Sequence, residues 1–216
     1  MFVKKLGIAA VLLSIGISTA YAHTTHHHSE KFYFGGDIQG NKFGVKSPVK
    51  NAFSPNSFKT DLAGASLFVG YKCENLGAEL GYTWFRRVNY KGTMTTRPSG
   101  VVVTNNSNLF KQLNNNIYLD GIYYYPMNDM LDLKASLGVG ALNSKLKGNA
   151  VTINTSGTSL PVAGTTKSSK VGIRAGIGAE VYFAECLSSS LMFRYQTGNK
   201  IFKDVKTVAL SLAYHL

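Results

Sequence analysis

Charged side chains set within apolar or small-residue stretches are the first candidates for chemistry in this 216-residue chain. Asp37, Glu79, Asp120, Asp132, Lys134, Arg174, Glu180 and Arg194 are of this kind. Carboxylates brought close together, as Glu79 and Asp120 would be, can relay a proton. The competing role is structural: a buried charge without a partner costs several kcal/mol, so charges in a narrow interior pair. A second candidate is the run His23, His26, His27 and His28, whose spacing suits Zn, Cu or Ni. No Asp or Cys lies nearby, so a solvated tail without metal is expected. The glycine pairs around Val139 and Ile177 are not phosphate loops, since no helix follows them. No cofactor is expected.

These side chains must be positioned by strands. The last nine residues place Val208, Leu210, Leu212, Tyr214 and Leu216 on one face and Ala209, Ser211, Ala213 and His215 on the other. Period two defines a strand with one apolar face. The same alternation runs through Leu131 to Ala141, Val171 to Tyr182, Ala78 to Trp84, Ile117 to Tyr125 and Leu191 to Gln196. Weaker members at Lys31 to Gln39 and Leu62 to Lys72 bring the expected count to eight. A soluble sandwich would show such alternation with its apolar face inward. Three features favour an inverted arrangement, a closed barrel in a membrane. The polar faces are rich in Gly and small residues beside single charges. Aromatics gather at strand ends (Tyr71, Trp84 with Phe85, Tyr123 to Tyr125, Tyr195, Tyr214), as an interfacial girdle requires. Connections alternate between short and long. Nine to eleven tilted residues span the ~25 Å apolar band of an outer membrane, and eight strands leave a lumen that side chains fill.

Residues 1–22 read as a cleaved export signal. Lys4 and Lys5 precede an apolar run from Leu6 to Ile17, and Ala20-Tyr21-Ala22 offers a cleavage site. The expected organisation is therefore a signal at 1–22, a His-rich periplasmic tail at 23–30 and a barrel domain over 31–216. Export puts Cys73 and Cys186 in an oxidising compartment. A bridge between their turns and two separate thiols both remain open.

Short connections at 73–77, 126–130 and 184–188 mark the periplasmic end, and long ones at 41–60, 86–114, 142–170 and 196–207 mark the outer end. The formal charge of +12 is concentrated in the long segments. Lys42, Lys46, Lys50, Arg86, Arg87, Lys91, Arg97, Lys145, Lys147, Lys167 and Lys170 belong to them, while Asp204 is their one acid. Such a basic surface attracts the phosphates of lipopolysaccharide or an acidic polymer on a host surface. Physiological binding of nucleic acid is not expected.

Several motifs resemble those of the small eight-stranded outer-membrane barrels, typified by the transmembrane domain of outer membrane protein A and by the X-type and opacity-type proteins. They are Gly70-Tyr71, Glu79 to Trp84, Tyr125-Pro126, Leu131-Asp132-Leu133, Gly178-Ala179-Glu180 and Phe193 to Gln196. The resemblance implies an all-β, eight-stranded up-and-down barrel with four long outer loops, in which Glu79, Lys134 and Arg194 join an interior ion-pair network. It also implies that Leu212, Tyr214 and Leu216 form the signal read by the barrel-assembly machinery, although the family usually ends in Phe. A monomeric, non-catalytic protein of envelope structure and surface interaction is expected. The alternatives are a small-solute channel, and an enzyme acting on lipid A. The second lacks a base, because the one histidine outside the tail, His215, lies at the periplasmic end.

Overall fold

The computed structural model describes residues 31–45, 60–95, 102–155 and 158–216. They form nine strands: β1 (Lys31–Val45), β2 (Asp61–Cys73), β3 (Leu76–Phe85), β4 (Val88–Thr95), β5 (Val102–Asn128), β6 (Leu131–Thr155), β7 (Thr158–Ala184), β8 (Leu187–Thr197) and β9 (Phe202–His215). All neighbours are antiparallel. β1 pairs with β9 from Tyr33↔His215 to Val45↔Phe202, and β3 pairs with β5 from Leu76↔Tyr123 to Trp84↔Asn115. These ladders leave no open seam in the wall. β3 and β4 both lie against β5 and are parted only at 86–87, so they make one stave. The result is a closed barrel of eight staves.

Alternation sorts the side chains, and the sense is inverted relative to a soluble protein. Leu137 and Ile177 are each 67% exposed on the outside, whereas Glu79 is 3% exposed inside. Phe34, Ile38, Leu67, Val69, Leu119, Ile173 and Leu212 continue the exposed apolar wall. No soluble monomer presents an apolar belt of this extent, since contiguous patches above a few hundred Å² drive association. Lipid is the solvent that suits it, and a barrel without free edges satisfies its own backbone there. Among the described residues no helix is long and apolar enough to cross a membrane. The strands do the crossing.

One end of the barrel is closed by two-residue turns at 74–75, 129–130 and 185–186. Glu74 takes φ 50°, the left-handed conformation that tight hairpins demand. At the other end much of what reads as loop is ladder. β5, β6 and β7 run well past the apolar belt, with Val103 opposite Ile153 and Thr155 opposite Thr158.

The segment at 196–207 is not a long loop. β8 continues to Thr197 and β9 starts at Phe202. Asn199 is the physical reason. Its Oδ1 accepts from the backbone N–H of Ile201 and Phe202 at 2.9 and 3.1 Å, folding the chain back on itself. Its Nδ2 donates to the Ser144 hydroxyl at 2.9 Å and reaches the Leu142 and Ser168 carbonyls. Asn199→Ala would strand these buried groups, and a loss of about 2 kcal/mol is expected. Urea unfolding in lipid vesicles would measure it; a change below the error of that titration would refute the tie.

Tyr124 and Phe85 also depart from the expected girdle. Tyr124 is 2% exposed and points inward, and Phe85 packs inside against Phe43. Period two puts them opposite their outward neighbours, so only alternate aromatics can reach the interface. No disulfide joins Cys73 and Cys186. β1 and β9 lie between β2 and β8 in the sheet, which sets the two strands roughly 14 Å apart along the wall at the usual strand spacing. That is about twice what a disulfide spans.

Candidate functional site: a filled lumen beneath a basic rim

The lumen is built in layers by strands that contribute one inward residue in two. Nearest the short turns, Lys72 donates to Asp132 at 2.7 Å and to the Tyr182 hydroxyl at 2.8 Å. Tyr182 lies within 3.2 Å of both Asp132 and Glu180. Lys134 stands 3.4 Å from Glu180, and Ser188 donates to the same carboxylate at 2.7 Å. His215 meets the Ser188 hydroxyl at 2.8 Å. Lys72 also sits 4.3 Å from the Tyr124 ring centroid, a cation–π contact in a desolvated place.

The middle layer is ionic. Arg194 reaches Asp37 at 2.9 Å and Glu79 at 3.9 Å. Arg174 pairs with Asp120 at 2.7 Å and lies 3.8 Å from the Tyr118 ring centroid. The Tyr118 hydroxyl donates to Glu79 at 3.0 Å. Glycine makes room for these rings: a Cβ on Gly70 would fall on Tyr33, and one on Gly81 would fall on Tyr118.

Above the ions the lining is neutral. Asn116 and Gln196 exchange hydrogen bonds of 2.9 and 3.0 Å across the interior, and Gln39, Ser66 and Thr83 form a chain of short contacts. A buried apolar cluster of Phe43, Leu62, Val88, Leu142, Ile201, Phe202 and Val205 closes the outer end. Among the described residues the lumen is lined by closely packed side chains, most of them bonded to one another, although the Asn114 amide and the Ser136 hydroxyl are buried without a hydrogen bond.

Of the residues singled out in the sequence, Asp37, Glu79 and Arg194 come together, Asp120 meets Arg174, and Glu180 meets Lys134. Lys72 was not among them. Its signal is its phase with Ser66 and Gly70 on β2, a strand whose alternation is weak because glycines interrupt it. His215 faces inward, and Leu212, Tyr214 and Leu216 face out. Leu216 is tied to β1 through its N–H to the Phe32 carbonyl at 2.8 Å.

The basic residues gather at the opposite end from the two-residue turns. Lys42, Arg86, Arg87, Lys147, Lys167 and Lys170 are exposed and Lys145 partly so. Lys91 lies on β4. Lys46, Lys50, Arg97 and the four tail histidines fall outside the described residues. Among the described residues no group of His, Cys, Asp and Glu is arranged to hold a metal.

Similarity to known proteins agrees with this architecture. The family model described as "Outer membrane protein beta-barrel domain" matches residues 8–215. No curated protein sequence matches the chain. Among solved structures, OprG from Pseudomonas aeruginosa is 13% identical with a TM-score of 0.51, over 88% of this chain and 97% of that one. Neisserial surface protein A is 17% identical, TM-score 0.48, over 87% and 98% of the two chains. The attachment invasion locus protein Ail of Yersinia pestis is 12% identical, TM-score 0.48, over 87% and 97%. Inverted packing, a closed eight-stave wall and the match over nearly its whole length lead to one conclusion: the chain belongs to the outer membrane protein beta-barrel domain family and resides in the cell outer membrane.

Proposed function

We propose that this protein is a non-catalytic, monomeric surface barrel that anchors itself among lipopolysaccharide and presents a basic outer rim to acidic partners, including polymers of a host surface. The observation that carries the reading is the separation of charge along the barrel axis. Exposed cations such as Lys42, Arg86, Arg87, Lys147 and Lys167 crowd the end away from the two-residue turns, while the interior charges are held in pairs. A rim of one sign attracts polyanions over several ångströms before any contact forms. The outward C-terminal side chains Leu212, Tyr214 and Leu216 support recognition by the barrel-assembly machinery, and the tail at 23–30 following a signal at 1–22 fits export.

The filled lumen speaks against a solute channel. An ion crossing it would have to displace Arg194 from Asp37 and then pass the apolar ceiling around Phe43 and Phe202. The one serine–histidine contact among the described residues, Ser188 with His215, speaks against hydrolysis. Glu180 accepts the hydrogen bond of the Ser188 hydroxyl rather than orienting His215, so the acid and base are not in triad order. Both groups are buried in the lumen, remote from lipid.

The test has two arms. Purified full-length protein is expected to be retained by immobilised heparin and lipopolysaccharide at physiological salt, and the rim variant R86Q/R87Q/K170Q, whose side chains are exposed, is expected to lose much of that retention. In planar bilayers it is expected to show no large, steady openings. Stable conductance, or retention indifferent to these substitutions, would refute the reading.

A further inference from the structure

Lysines at the outer rim face one another across the ladders. Lys111 stands directly opposite Lys147, Lys145 opposite Lys167, and Lys42 opposite Lys206. Like charges in direct register repel, with Cβ atoms only ~5 Å apart, and such pairs destabilise a sheet. Two of the three pairs adjoin. Lys145 and Lys147 are two apart on β6, hence on one face and about 7 Å from each other, so Lys111, Lys145, Lys147 and Lys167 form a quartet across β5, β6 and β7. The sequence contains no acid between Asp61 and Asp120 or between Asp132 and Glu180 except Glu74 and Glu79, Asp129 preceding the second interval. The strands that carry the quartet therefore offer it no nearby counter-charge. Lys147, foremost, then loss of solvent and the opposing Lys167 hold the Lys145 ammonium below its usual range.

The quartet also has a defined height and direction. On β6 the outward sequence runs Leu137, Val139, Ala141, Asn143, Lys145, and on β7 it runs Ile173, Val171, Ser169, Lys167. Asn143 donates to Asn115 of β5 at 3.0 Å, marking the upper edge of the apolar belt. Lys145 and Lys167 stand one outward step above it and Lys111 and Lys147 two, and all face sideways, over the lipid rather than over the mouth of the barrel. A cation there meets the phosphates of the outer leaflet before it meets a soluble polymer arriving from above.

We infer that Lys111, Lys145, Lys147 and Lys167 form a binding site for one outer-leaflet glycolipid through two of its phosphates, held without a bridging divalent cation. This rests on the proposed affinity for lipopolysaccharide and deepens it. Four ammonium groups match two phosphomonoesters, each carrying a charge between one and two, and the anions relieve the repulsion that register imposes.

Full-length protein in detergent with excess EDTA, titrated with bis-phosphorylated lipid A, tests this directly. Wild type is expected to bind, and K145Q/K147Q to bind about tenfold more weakly or worse, as loss of charge-assisted phosphate contacts requires. Mono-phosphorylated lipid A is expected to lose a similar factor on wild type. Without lipid, K145Q/K147Q and K147Q alone are expected to unfold at or above the wild-type temperature, because the repulsion is gone. Binding by K145Q/K147Q equal to wild type overturns the inference. So does dependence on added Mg2+, or a quartet that retains a heparin fragment but no lipid A. In each of these cases the broader affinity for acidic partners stands if K42Q/K206Q or R86Q/R87Q/K170Q still weakens it. Wild type binding neither lipid A nor heparin would end both readings.

Discussion

Replacing Arg194 with methionine is expected to cost the folded barrel about 3–5 kcal/mol, the usual penalty for breaking a buried pair. Arg194 is 8% exposed and is the cation within reach of both Asp37 and Glu79. Its removal leaves two carboxylates in a space that water hardly enters. Asp37 would keep a 3.3 Å contact from Gln39, and Glu79 would keep the hydroxyls of Tyr118 and Tyr33. Neutral donors of this kind do not replace a guanidinium. The triple variant D37N/E79Q/R194M removes both signs together and is expected to recover most of the loss, because neutralising a whole buried network is often nearly free. Urea unfolding in lipid vesicles, read by the heat-dependent gel shift, measures both. A loss under about 1 kcal/mol for R194M would mean the charges are solvated and the lumen is wet. The same variant tests closure: if the pairs seal the interior, R194M bilayers should leak cations where wild type does not.

The second large effect is expected from one added side chain. Gly81 of β3 lies against Tyr118 of β5, directly opposite in the ladder, and Tyr118 is 1% exposed. Gly81→Val would place branched carbon where the Tyr118 ring lies. The ring would have to move, giving up its bond to Glu79 and its place beside Arg174. Overpacking and the lost contacts together are expected to cost about 3 kcal/mol. A double-mutant cycle with Tyr118→Ala isolates the clash: G81V should be much less harmful once the ring is absent. Additive effects would show that the glycine is not there for the tyrosine.

Much of this barrel follows from alternation alone. Val208 to Leu216 can only be a strand with one apolar side, and the same holds for Leu131 to Ala141. Once each strand has a face, the inward position of Asp120, Arg174, Glu180 and Arg194 follows with no knowledge of neighbours. The tight turns after Cys73, Asn128 and Ala184 follow as well, because the pattern breaks and restarts within a few residues there. So does the concentration of cations at one end.

Period two says which side a residue takes, but not which residue faces it on the next strand. That depends on register, which the turns and the stagger of the closed wall settle together. Arg194 therefore meets Asp37, 157 positions away, and Lys134 meets Glu180, pairings that chain order does not reveal. Register likewise sets Lys145 against Lys167 and Lys111 against Lys147, turning scattered loop lysines into a patch. Asn199 shows the same limit at a turn, for its side chain draws 196–207 tight only because Leu142, Ser144 and Ser168 lie beside it. Composition and alternation by themselves determined that this chain is an inside-out barrel with a basic end. Closure of the wall decided that Arg194 of β8 meets Asp37 of β1 and Glu79 of β3, because only closure fixes distances between strands far apart in the chain, while hairpin register set the lysines of β5, β6 and β7 against one another.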